Sequence, residues 1–254
     1  AFSDQLSAIS FQRSAFSDQL SAISFQRSAF SDQLSAISFQ RSDNLISSSS
    51  FMNAWHDVSP GDKTPHVLDC IIEIPRGSHN KYELDKESGL IRLDRVLYSA
   101  VFYPANYGFI PQTYCDDSDP LDILVLGQEA VVPMCIVTAR PIGVMQMVDD
   151  DEEDDKIIAI SQHDPAFAHY QNLEELGSHT LRELQRFFQD YKLLEHGSVR
   201  VERMLGKEDA LDIIQRSFEL YQQCYEVGGA PKPDAPKLGK FKTDDDVKDE
   251  VTVL

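Results

Sequence analysis

The stretch Tyr114-Cys115-Asp116-Asp117-Ser118-Asp119-Pro120-Leu121-Asp122-Ile123-Leu124-Val125-Leu126 crowds acids into a turn and then runs straight into an apolar strand. Three carboxylates, Asp117, Asp119 and Asp122, share that turn, and unpaired carboxylates held so close repel one another. A turn that enters an apolar strand offers little water to relieve the repulsion, so the pattern points to a multivalent cation with oxygen ligands. An EF-hand loop does not fit. Counting Asp117 as position one puts Asp122 where Gly is needed at six and Gln128 where a bidentate Glu is needed at twelve. A solvated Asp-Pro turn is the plain alternative, and the turn by itself leaves both readings open.

The format recurs downstream. Residues 149–155 read DDDEEDD and are followed by Lys156 and the strand-like Ile157-Ile158-Ala159-Ile160. A run of seven acids is ordinarily a solvated loop. Repetition of acids leading into a short apolar strand raises a second possibility, in which two such loops face each other across a barrel mouth and share several metals.

Outward from these two strands the chain reads as short β segments at 67–74, 81–84, 90–94, 123–126, 136–139 and 157–161, with DKESG at 85–89 marking a hairpin. Many short strands favour a closed barrel. Two helices follow. One, near 178–195, carries Leu181, Leu184, Phe188 and Tyr191 on one face; the other, near 208–225, carries Leu211, Ile214, Phe218 and Tyr221. Strands first and helices after them define an α+β class that is mainly β.

Composition narrows the partners. A formal charge of -19 argues against nucleic acid or an anionic membrane surface, although an acidic protein still binds an anion where metals invert the local field. Cys70, Cys115, Cys135 and Cys224 form no CxxC pair, so reduced thiols and a cytoplasmic setting are expected. No apolar run approaches the ~18 residues of a spanning helix.

The segment DSDPLD resembles the signature of the family I soluble inorganic pyrophosphatases of eukaryotic, plant-like type, and it does not stand alone. Upstream lie Glu73-Ile74-Pro75, Lys81-Tyr82-Glu83, Asp94-Arg95 and Phe102-Tyr103-Pro104-Ala105-Asn106-Tyr107-Gly108. Downstream lie Asp149, Asp154 and Lys156, then Phe187-Phe188-Gln189-Asp190-Tyr191-Lys192, all in the family's order over residues 67–221. The resemblance implies a five-stranded OB-like closed barrel flanked by two C-terminal helices, with extended termini. It implies hydrolysis of pyrophosphate to two phosphates by direct attack of a metal-activated water, without a phosphoenzyme. Several Mg²⁺ ions are expected, with Mn²⁺ as a substitute. By the same resemblance Asp117, Asp122 and Asp154 hold the activating metals, while Asp149 and Glu73 assist metals that arrive with substrate. Asp119 accepts the proton of the water. Lys81, Arg95 and Lys192 grip phosphate oxygens, Tyr107 and Tyr191 donate phenolic hydrogen bonds, Lys156 braces the acidic loop, and Glu83 matches the pattern in a supporting place.

These roles suit the chemistry, because cleaving a highly charged anhydride needs charge neutralisation, an aligned water and a stabilised leaving phosphate. Two rivals are weighed against them. A phosphatase working through an aspartyl-phosphate on Asp117-x-Asp119 would want Thr or Val at Leu121 and an apolar strand in place of Pro111-Gln112-Thr113-Tyr114-Cys115. A divalent-ion or OB-type interaction module would bind metal and turn nothing over.

The ends lie outside this pattern. AFSDQLSAISFQRS at 1–14 recurs unchanged at 15–28 and 29–42, which points to recent duplication or an assembly artefact. Phe2, Leu6 and Ile9, with the next copies at a 14-residue shift, form a heptad-like stripe interrupted by Arg13 and Arg27, and the Ser-rich, Arg-bearing composition resembles part of an organelle transit peptide, with a plastid or other organelle as the alternative compartment. The expected division is 1–53 for repeats and Ser-rich linker, 54–226 for the catalytic domain, and 227–254 for a disordered charged tail. Self-association is expected, with its stoichiometry open.

Overall fold

In the computed structural model the described residues are 52–232, apart from 151, 196 and 227. The three repeats and the chain beyond 232 lie outside them. Strands β1 (Leu68–Ile74), β4 (Asn106–Phe109), β5 (Asp122–Leu126), β6 (Cys135–Asp149) and β8 (Lys156–Ser161) pair in the order β1-β4-β5-β8-β6, and β6 returns to β1, closing a five-stranded ring. Strands β2 (Asn80–Leu84) and β3 (Ile91–Val96) form a separate hairpin, closed where the Asp85 amide donates to Leu90 O at 2.8 Å. The short strand β7 (Glu152–Glu153) and the edge strand β9 (Val199–Leu205) both pair with β6. The result is the OB-like, mainly β architecture expected.

Alternation explains how thin strands fill two cores. Side chains on a strand point to opposite faces in turn. Leu124, Leu126, Ile158 and Ile160 pack in one cluster with Leu184 and Phe188 of helix α1 (Ser178–Asp190), whereas Ile123, Val125, Ile157 and Ala159 pack in another with Ala210 and Ile214 of helix α2 (Lys207–Cys224). Being buried on both faces, β5 and β8 read as continuous apolar runs, and their pairing is parallel.

Several sequence-based expectations need correction. Strand β6 extends from 135 to 149 rather than ending at 139; it bends at bulges between Pro141 and Gly143 and between Gln146 and Met147, which let one strand serve β1, β8 and β9 in turn. Strand β4 escaped notice because it is four residues long with Gly108 inside it. That glycine is required, since a Cβ there would lie 1.8 Å from Ile71 O. Strand β9 escaped because, at a sheet edge, only Val201 of its side chains is buried. Helix α1 stops at Asp190, and a 3-10 turn at Leu193–Glu195 replaces its last turn; Leu193 and Leu194 are exposed, so no apolar stripe holds a helix there.

At the N-terminal side of the described residues, Asn53 Oδ1 accepts a hydrogen bond from the Trp55 amide at 2.9 Å. At the other end the chain after α2 turns back, with a Tyr225–Pro231 bridge and the Lys232 amide donating to Cys224 O at 2.8 Å. The rest of the expected tail falls outside the described residues.

Candidate active site

Parallel pairing of β5 and β8 puts Asp122 opposite Lys156. Because both strands start at the same end of the ring, the turns that lead into them open at that end together. Their acids line one cavity of about 290 Å³, walled also by Glu73 of β1, the β2–β3 hairpin and the end of α1. Of the residues expected in the site, Glu73, Lys81, Glu83, Tyr107, Asp117, Asp119, Asp122, Asp149, Asp154, Lys156, Tyr191 and Lys192 all line it.

The DSDPLD turn is shaped by its backbone. The Ser118 amide donates to Cys115 O and the Cys115 amide to Asp119 O, at 3.0 and 2.9 Å, and Ser118 takes a left-handed φ of 71°. Asp117 Oδ1 accepts the Asp119 amide at 3.0 Å. Below the turn, Thr113 Oγ1 accepts the Leu121 amide at 2.9 Å and Thr113 O accepts Trp55 Nε1 at 2.8 Å, which anchors the turn to the chain's N-terminal approach.

Asp122, Asp149 and Asp154 are each matched with a base. The buried ammonium of Lys156 contacts both Asp122 and Asp154. Burial alone would push its pKa down, but the two carboxylates hold it well above the ordinary lysine value. Lys192 Nζ donates to Asp149 Oδ2 at 2.5 Å, and Tyr191 Oη donates to the same oxygen at 2.9 Å. Tyr107 Oη donates to Asp122 Oδ2 at 2.6 Å. Lys81 pairs with Glu83 and, at 3.3 Å, with Asp94.

Arg95 differs from expectation. It lies across the hairpin from Lys81 but is absent from the cavity wall; its guanidinium is held by Asp94 at 2.7 Å and Glu195 at 2.8 Å. Among the wall residues that the sequence reading did not assign to the site are Lys86 and Trp55. Lys86 lies in DKESG, whose turn chemistry masked any other role, and the one signal for Trp55 was its being the only tryptophan in the chain.

The acids outlast their partners in one respect: the site is too rich in buried carboxylate for protein cations alone. Burial raises Glu73 to about 8 and Asp117 to about 7, and it raises Asp154 as well. Asp149 Oδ1 is buried without a hydrogen-bond partner among the described residues. Oxygen donors in this state suit a hard divalent cation. Among the described residues no three acids, histidines or cysteines converge as a finished cage; lysines stand between them.

A closed OB-like ring with a cavity of acids and bases at one mouth is the class of fold and site this chain presents. The family model for inorganic pyrophosphatase matches residues 70–222. Soluble inorganic pyrophosphatase 2 of Chlamydomonas reinhardtii is 53% identical over 171 residues, covering 67% of this chain and 89% of that one. The soluble inorganic pyrophosphatase of Oryza sativa subsp. indica is 54% identical over 184 residues, covering 71% and 86%. Among solved structures, the inorganic pyrophosphatase from Thermus thermophilus aligns with a TM-score of 0.66 at 38% identity, over 67% of this chain and 99% of that one. The chain belongs to the family I soluble inorganic pyrophosphatases.

Proposed function

We propose that this chain hydrolyses inorganic pyrophosphate to two phosphates with Mg²⁺ as cofactor and Mn²⁺ as a substitute. The observation that carries the reading is the convergence of both acidic turns on the one cavity that Lys81, Lys192, Tyr107 and Tyr191 also line. Mg²⁺ held by Asp117, Asp122 and Asp154, with Asp149 and Glu73 assisting, would neutralise the anhydride and lower the pKa of water. Asp119, half-exposed at the mouth, takes the proton of the attacking water. Lys81 and Lys192 exchange carboxylate partners for phosphate oxygens, and the Tyr107 and Tyr191 hydroxyls donate to the same anion. Burial keeps both phenols protonated, well above their ordinary pKa. Lys156, locked between Asp122 and Asp154, stays in place as a brace. Arg95 joins the phosphate grip only by releasing Glu195 and Asp94.

Four free cysteines and the acidic composition favour the cytoplasm, with a plastid as the alternative. Among the described residues no helix is long and apolar enough to cross a membrane.

Phosphate release from pyrophosphate, measured with Mg²⁺ and with chelator, tests the reading. Fast release that chelator abolishes is the expected result. A folded, metal-loaded chain that releases none would leave a binding module, and a trapped phosphoenzyme would replace direct attack by water with the aspartyl-phosphate route.

A further inference from the structure

Every lysine on the cavity wall is committed to particular acids, and Lys86 is the one committed to Asp119. Lys81 serves Glu83 and Asp94, Lys156 serves Asp122 and Asp154, and Lys192 serves Asp149. The Lys86 ammonium contacts Asp119 Oδ1 and at the same time lies 5.1 Å from the centroid of the Trp55 ring. Trp55 is itself buried and fixed, through its Nε1 hydrogen bond to Thr113 O and by packing against Tyr114 at a centroid separation of 6.1 Å. Asp119 has the opposite character. Its side chain is 53% exposed, and among the described residues Lys86 is the one side chain that pairs with its carboxylate. A carboxylate with one anchor faces wherever that anchor directs it.

We infer that Lys86 is a positioning residue for Asp119, held over the face of Trp55 so that the carboxylate is aimed into the cavity before substrate arrives. The inference rests on the pyrophosphatase reading for its kinetic consequence but not for its geometry. A cation shared between an aromatic face and a carboxylate is fixed at both ends, and misplacing a reacting group by about 1 Å costs up to ~10²-fold in rate. Loss of Lys86 should therefore lower kcat rather than raise KM. The apolar stem of methionine keeps the contact with Trp55 while removing the charge, and arginine keeps the charge.

Two measurements test this. In steady-state pyrophosphate hydrolysis, Lys86→Met is expected to lower kcat about tenfold with KM within about twofold, and Lys86→Arg to recover most of the loss. A rise in KM alone would make Lys86 a phosphate ligand and overturn the positioning role, as would unchanged kinetics. Independently of turnover, Trp55 is the only tryptophan in the chain, so its emission reports the contact directly. Asp119→Asn should change that emission in the parent chain and leave it unchanged in the Lys86→Met background. No change in either background overturns the inference whatever the enzyme does, whereas an inactive parent with an intact fluorescence coupling sinks the pyrophosphatase reading alone.

Discussion

Lys156 stands opposite Asp122 in a parallel strand pair, and its buried ammonium reaches Asp154 on the turn before its own strand. One side chain therefore ties the two acidic turns together. Removing it would leave two carboxylates facing each other in a poorly solvated place, and breaking a buried pair on one side costs about 3–5 kcal/mol. Lys156→Met is expected to unfold at markedly lower denaturant in the absence of divalent metal. An unchanged midpoint would show that water already screens the pair.

Asp119→Asn keeps the shape and removes the proton acceptor of the proposed mechanism. Rate should fall by roughly 10²- to 10⁴-fold, while stability shifts by no more than about 0.5 kcal/mol, because the side chain is half-exposed. Phosphate release and chemical unfolding on the same preparation check both halves.

Gly108→Ala tests the ring closure. Its Cβ would lie 1.8 Å from Ile71 O and 2.8 Å from Ile72 Cα, atoms of backbone that cannot swing aside. Overpacking of this kind should cost about 3 kcal/mol or more. A variant that unfolds at the parent's midpoint would mean that β1 and β4 separate more easily than their pairing implies.

His56 gives a pH dependence separate from the acids of the cavity. Burial against Trp55, Tyr221 and Tyr225 lowers its pKa from 6.5; Asp57 opposes the shift and Lys86 adds to it. Its Nδ1 shares a 2.7 Å hydrogen bond with Tyr221 Oη. The unfolded chain takes up the proton first as pH falls, so this contribution to stability is complete above about 6.5 and is lost below it, levelling off once the folded histidine is protonated. Urea unfolding at pH 7.5 and 5.0 should show a smaller pH difference for His56→Gln than for the parent.

Divalent metal should stabilise the chain. Burial raises Asp117 and Asp154, and Asp154 shares the Lys156 ammonium with Asp122, so bound metal would supply both with added positive charge. Saturation near 100 times Kd is worth about 2.7 kcal/mol. Mg²⁺ is expected to raise Tm, with chelator reversing it and Asp117→Asn blunting it; an equal rise in parent and variant would place the ion elsewhere.

Much of this was legible from residue patterns. The apolar runs of β1, β5 and β8 and the stripes of α1 and α2 announced themselves because burial acts on side chains that sequence names outright. Strand β4 did not, since its role depends on the backbone of β1 passing close to Gly108. Arg95 was placed on the phosphate by resemblance, yet Asp94 and Glu195 claim it here, and Glu195 comes from a turn that the helical pattern had assigned to α1. Lys86 carried no signal at all, because a lysine in a hairpin turn looks like any solvated cation until Trp55, distant in sequence, is folded beneath it.

By itself the sequence determined the ingredients: two acid-loaded turns leading into apolar strands, a mainly β class with helices after the strands, and the family. Those follow from local spacing and from the periodicity of burial, which act over a few residues. Only the tertiary structure decided the rest: that β5 and β8 run parallel and bring the two turns to one mouth, that Lys156 locks them, and that Asp119 is aimed by a lysine seated on Trp55. Contacts between residues far apart in the chain depend on how the ring closes, and closure is a property of all five strands together.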